Sequence, residues 1–273
     1  MAILLCTLWA PSALADTADE RTFTFEQGNL ERTVTVTWLK QTFPTRRVTV
    51  LHPLYGKDMT FESIPLAPVL DHLGWTQPQI RFRCVDGYRP VVARADVAPL
   101  GLALAIAEHP LPKQGHFSPL PLDRGPHDPS PFMVIATTPK SAEELPDHTK
   151  FSWPYEVVSV SPFDASTQYD AMVPVGAPEG GDVAQGYATF RTYCLSCHGV
   201  NLQGGVVGPE LNIPKNITEY RDPAWLAQFI ANPSAWRARD KMPGFGHLGE
   251  AKIKQVVAYL AYMKDHKRLD ALP

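Results

Sequence analysis

Residues 194–198 read Cys-Leu-Ser-Cys-His, and this pentapeptide decides how the second half of the chain is read. Two thiols stand with two residues between them, and an imidazole follows at once. That spacing is the attachment pattern of a c-type haem. Two thiols add across the two vinyl groups of the ring, and a short turn lets both sulfurs reach neighbouring vinyls. The next residue then stands under the iron and offers a nitrogen. Cys194 and Cys197 are therefore the expected attachment points and His198 an expected iron ligand.

Other readings of the pair lack support. A structural zinc site needs two further Cys or His ligands at suitable spacing. The chain has neither a second C-x-x-C nor an H-x-x-x-H. A thioredoxin-like pair opens a helix after a strand. Here the pair instead follows a helical stretch, 182–193 (DVAQGYATFRTY). The chain has four cysteines, at 6, 84, 194 and 197. Cys84 is left without a partner, so no disulfide framework is expected.

Downstream, residues 199–212 (GVNLQGGVVGPELN) form a glycine-rich loop. Asp222 and Pro223 predict a helix over 223–231, with Asp222 as N-cap and the proline in the first helical position. A loop, Lys241-Met242-Pro243-Gly244-Phe245, follows. Residues 250–264 form an amphipathic helix with Ile253, Val256, Val257, Leu260 and Met263 on one face. Met242, held in a proline-flanked loop, is the expected second iron ligand, because a thioether is a soft ligand that favours ferrous iron. His247 is its rival in the same loop. Met263 reads as core, and His266 lies beyond the helix. Two axial ligands leave no open position on iron, which points to electron transfer rather than oxygen or peroxide chemistry.

Residues 183–266 resemble a class I (monohaem) cytochrome c domain. The resemblance rests on Cys194, Cys197 and His198, on Gly208-Pro209-x-Leu211, and on Lys241-Met242-Pro243 before the last helix. It implies an all-α fold around one covalent haem c, with His198 as proximal and Met242 as distal ligand. It also implies that the Pro209 carbonyl accepts a hydrogen bond from His198, and that Tyr220 and Trp225 lie near the haem propionates.

Upstream, strand-like stretches occur at 22–25, 34–38, 48–51, 80–84, 133–136 and 155–160. A helix is expected at 64–73 and a second at 100–108. This is a mixed α+β pattern with many short strands. No nucleotide-binding glycine motif and no nucleophile–base constellation is legible, so no catalytic residue is assigned. The segments 55–73, Arg83-Cys84-Val85-Asp86-Gly87-Tyr88 and Trp153-Pro154-Tyr155-Glu156-Val157-Val158 resemble a shortened sulfite-oxidase-type molybdopterin domain. In catalytic members of that family a cysteine thiolate ligates molybdenum, and Cys84 is the candidate by position. The other reading of Cys84 is a buried thiol. No basic residues that would anchor a pterin phosphate are evident. The expectation is a cofactor-free docking or scaffold module without molybdopterin. The alternative is a haem-containing molybdenum oxidoreductase of sulfite-dehydrogenase type, with this region catalytic.

The ends complete the organisation. Residues 2–9 are apolar and Ala13-Leu14-Ala15 reads as a small-x-small cleavage site, so 1–15 is expected to be an export signal that removes Cys6. An α+β domain then spans 16–165, a Pro/Gly-rich linker 166–181, and the cytochrome c domain 182–273. No later segment has the roughly 20 apolar residues a membrane helix needs. The 273-residue chain has a formal net charge of -3 with 19% charged residues, which predicts no nucleic-acid binding. Lys252, Lys254, Lys264, Lys267 and Arg268 cluster in and after the last helix, where they could steer an acidic partner or simply complement the helix dipole. A periplasmic location and a redox protein as partner are expected.

Overall fold

The computed structural model describes residues 19–122, 125–146 and 151–268. The signal reading of 1–15 lies outside them. The first part of the chain is rich in sheet and the last part is helical.

The chain opens with a hairpin of β1 (Thr22–Gln27) and β2 (Leu30–Thr35), turned at Gly28. Phe23, Phe25 and Val34 point inward by the two-residue period of a strand. The strand expected over 34–38 stops at Thr35. The Thr35 side chain accepts from Trp38 N at 3.1 Å and caps α1 (Val36–Thr42), so a side-chain bond overrides the β-branched run. A second hairpin pairs β3 (Arg46–His52) with β4 (Lys57–Pro65). The expected helix at 64–73 begins later, as α2 (Leu66–His72), because Ile64 and Pro65 finish β4. Next come β5 (Gln79–Cys84), β6 (Val91–Ala93) and α3 (Arg94–Val97).

The stretch 100–108, expected as helix, is a strand. β7 (Leu102–Glu108) runs between β4 and a later strand, buried on both faces. A strand covered on both sides loses its alternation and reads as a continuous apolar run, which periodicity does not distinguish from a buried helix. β8 (Leu120–Leu122) and β9 (Gly125–His127) form a small hairpin. β10 (Met133–Ala136) borders β7, and β11 (Val157–Phe163) closes the region. The strand expected at 155–160 starts at Val157, because Glu156 has a left-handed backbone (φ 56°).

One sheet has the order β2-β1-β11-β5-β6, and only β1 and β11 are parallel in it. The other, β10-β7-β4-β3, is antiparallel throughout. A single apolar core takes side chains from both, including Phe23, Phe61, Phe82 and Phe132.

The last part contains α4 (Ala165–Gln168), α5 (Asp182–Tyr193), α6 (Pro223–Ala231) and α7 (Glu250–Met263). Asp222 Oδ1 accepts from Ala224 N and Trp225 N, at 2.9 and 3.0 Å, and so caps α6. Helices α5 and α7 cross at Gly186, where a Cβ would collide with the Gln255 carbonyl. Their contact forms a second core with Phe190, Val256, Tyr259 and Leu260. Within the stretch read as a linker, Tyr169 and Met172 are buried in this core, and the Tyr259 hydroxyl donates to the Met172 carbonyl at 2.9 Å. The first half of that stretch is therefore packed against the helices. No helix among the described residues is long and apolar enough to cross a membrane.

Candidate haem cleft

Helix α5 ends where the cysteine pair begins. Cys194 N still donates to Phe190 O at 2.9 Å, and then Cys197 N and His198 N both donate to Cys194 O, at 3.1 and 2.9 Å. This single turn brings two thiols and an imidazole to one side of the chain. Burial pushes the Cys194 thiol up to about 12 and the Cys197 thiol up to about 11, so both are neutral.

The glycine-rich loop then folds back beneath the imidazole. Gly205 N donates to Leu195 O and Gly208 N to Cys197 O, both at 2.8 Å. A Cβ at Gly208 would enter the His198 ring, so only glycine lets the loop pass there. His198 Nδ1 lies 2.9 Å from Pro209 O. A carbonyl only accepts, so Nδ1 carries the proton and Nε2 keeps its lone pair. That is the state an imidazole needs to ligate a metal, with the carbonyl fixing its orientation. Burial lowers the His198 pKa, partly offset by the Pro209 carbonyl, and keeps the ring neutral.

Polar side chains that do not reach the cleft shape this loop. One carboxylate, Glu210, accepts from the backbone N–H groups of Asn201, Leu202, Asn212 and Ile213. Three buried asparagines form a ladder: Asn212 Nδ2 donates to Asn201 Oδ1 at 2.8 Å and Asn216 Nδ2 to Asn212 Oδ1 at 2.7 Å. The ladder ends on Ala171 O at one side and on Leu260 O of α7 at the other. Sequence reasoning passes over these residues, because a buried asparagine carries no local pattern that separates it from a turn asparagine.

Cys194, Cys197, His198 and Met242 all line one cavity of about 630 Å³, within the roughly 300–1,000 Å³ usual for cofactor sites. Phe190, Leu226, Ile230, Phe245, Val256 and Leu260 supply apolar walls. Met242 is placed by its own N–H, which donates to Asp240 Oδ1 at 2.9 Å. His247 is not among the lining residues; it packs edge-on to Tyr193 and tilted against Phe245. Met263 is buried in the helical core, and His266 stacks on Tyr262 at 4.4 Å. Tyr220 and Trp225 line the cavity together with Arg221, whose guanidinium lies over both rings at 5.9 and 5.2 Å. Arg237 lines it as well. These two arginines escape a reading of the sequence, although the Tyr220-Arg221 neighbourhood is its available signal.

Two neutral thiols, an oriented imidazole and a thioether around one apolar cavity fit an iron porphyrin. Among the described residues no three His, Cys, Asp or Glu side chains converge as a metal cluster. Cys84 lies elsewhere: it is 3% exposed, within the sheet core, and burial raises its pKa strongly.

The cavity also has lining from the sheet-rich region, including Tyr88, Ser152 and Trp153. No spacing in the sequence ties these residues to positions more than 40 further along.

Residues 181–260 match the family model for cytochrome c oxidase, cbb3-type, subunit III, which is less than a third of the chain. No curated protein matches it. The C-terminal part of the chain is thus a cytochrome c domain, one that binds haem c and serves electron transfer.

Proposed function

We propose that the chain is an exported one-electron carrier with a single haem, attached through Cys194 and Cys197 and ligated by His198 and Met242. One observation carries this reading. His198 Nδ1–H donates a hydrogen bond to the Pro209 carbonyl, which leaves Nε2 with its lone pair in the cavity that both thiols and Met242 share. When bound, haem supplies reversible one-electron chemistry at its iron. The protein's own residues would hold it there: Cys194 and Cys197 would tether the ring, His198, oriented by Pro209, and Met242 would ligate its iron, and the apolar walls would keep water away. With His198 and Met242 both holding iron, the haem would supply electron transfer rather than oxidant binding.

In this reading the chain divides into a module over 16–165, a connecting stretch over 166–181 and the cytochrome c domain over 182–273. The first module serves docking or scaffolding toward a redox protein and carries no molybdopterin. A periplasmic location follows from the apolar segment and small-x-small site before Asp16.

The test is expression of the full chain in cells competent for haem attachment. A pyridine haemochrome with a c-type band and one haem per chain is expected. Absence of that band sinks the reading. Met242→Ala should lose the weak red-edge methionine–iron band while His247→Ala keeps it; a wild type without that band, whose spectrum changes in His247→Ala and not in Met242→Ala, assigns the ligand to His247. Iron without molybdenum is expected on metal analysis, and stoichiometric molybdenum would move the first module to an enzymatic role.

A further inference from the structure

The haem cavity has one wall that the cytochrome c domain does not provide. Tyr88 and the strap 151–155 reach it from the sheet-rich region, beside Cys197. The Tyr88 hydroxyl donates to Ser152 Oγ at 3.0 Å, and the Tyr88 N–H donates to Asp86 Oδ1 at 3.0 Å, so ring and backbone are both fixed. Burial raises the phenol to about 12, and Cys197 is close enough to add to that shift. The hydroxyl stays protonated at any working pH.

The strap is bent at a cost. Trp153 (φ 51°), and Glu156 just beyond the strap (φ 56°), hold left-handed backbones that side chains rarely adopt. Long-range bonds keep the bend in place: Val134 N donates to Pro154 O at 2.8 Å and Glu156 N to Pro129 O at 2.9 Å. Such strain persists where the surroundings over-determine it, and it clusters at functional sites. Here it presents residues of the strap to the cavity.

The seam between the two parts falls on the haem motif itself. Arg89 N donates at 3.0 Å to the carbonyl of Ser196, which stands between the two cysteines. Gly87 packs on Val206 so closely that no Cβ fits between them. The Cys197 side of the cavity is therefore faced by protein.

We propose that Tyr88 is a positioning residue for the haem. Its ring, pinned by Ser152, closes the Cys197 side of the cleft and raises the haem's reduction potential by keeping water out. The physical reason is that the oxidised haem carries one more positive charge, and a drier surround disfavours the more charged state. Asp86 lines the same wall and acts in the opposite direction, so the ring's contribution is read by changing Tyr88 alone.

This inference rests on covalent haem at Cys194 and Cys197, and the experiment separates the two. The full chain is produced with haem attachment as wild type, Tyr88→Phe, Tyr88→Ala and Ser152→Ala. Haem content is counted by pyridine haemochrome, and the potential is then read by spectroelectrochemical titration. All four should carry haem. Tyr88→Ala should shift the reduction equilibrium toward ferric haem by about tenfold, which is 59 mV for a one-electron couple. Tyr88→Phe keeps the ring and should shift it much less, with Ser152→Ala between the two. Tyr88→Ala with full haem content and a wild-type potential overturns the inference and leaves the haem reading standing. A wild type without covalent haem overturns the haem reading first. If Tyr88→Ala does not accumulate, Tyr88→Leu carries the same comparison.

Discussion

Gly208 and His52 are single residues whose surroundings fix what a substitution does. Gly208 runs beneath the His198 ring with no space for a methyl group. Gly208→Ala should push the imidazole off its bond to Pro209 and away from its ligating position. The expected result is covalent haem whose spectrum has lost its six-coordinate character, read by absorbance of the oxidised protein against wild type. His52 is buried among the rings of Tyr55, Phe61 and Trp153, and neither of its nitrogens has a hydrogen-bond partner among the described residues. Burial alone pushes its pKa down from 6.5 to about 4. Between those values the unfolded chain binds a proton that the folded chain refuses. Stability therefore falls as pH drops through that window, by up to about 3 kcal/mol from this residue. His52→Phe should flatten the slope, as seen by comparing urea midpoints at pH 7 and pH 4.5. An unchanged slope would remove His52 as its source.

Among the elements, α5 and α7 carry the cytochrome c domain, and Gly186 sets how closely they approach. Gly186→Ala drives a methyl group into the Gln255 carbonyl. Overpacking of this kind costs about 1–3 kcal/mol, so a lower urea midpoint of the holo-protein at an unchanged slope is expected. The helices of this domain are legible in the sequence, because each carries its own marker. Asp222-Pro223 announces α6 through its cap, and the apolar stripe from Ile253 to Met263 announces α7. The cysteine pair and Met242 are legible for the same reason, being local patterns with a chemistry attached. The sheets are less so. β7 has an apolar run with no alternation, and only its neighbours on both sides make it a strand. Thr35 ends a β-branched run by capping a helix, a choice made by one hydroxyl. Tyr88, Ser152 and the asparagine ladder are not legible at all. Their roles come from contacts between distant segments, and no spacing in the chain records those.

For the whole molecule, two apolar cores lie side by side, and one of their contacts runs through 87–89 and 196–206. Gly87 is in a left-handed conformation (φ 89°) and touches Val206, so Gly87→Val is strained twice over, by backbone and by contact. Its expected effect is to uncouple the cores. Calorimetry of the holo-protein should then resolve two transitions further apart than in wild type, and limited proteolysis should cut more readily within 173–181. A single unshifted transition would show that the seam contributes little.

The Arg89–Ser196 bond has a mechanical consequence. It ties the backbone of the sheet region to a carbonyl that stands between Cys194 and Cys197. A twist or a pull between the two halves therefore bears on the turn that holds Cys194, Cys197 and His198. Whatever docks on the sheet region and leans on it has a lever arm that ends at the turn between the two cysteines.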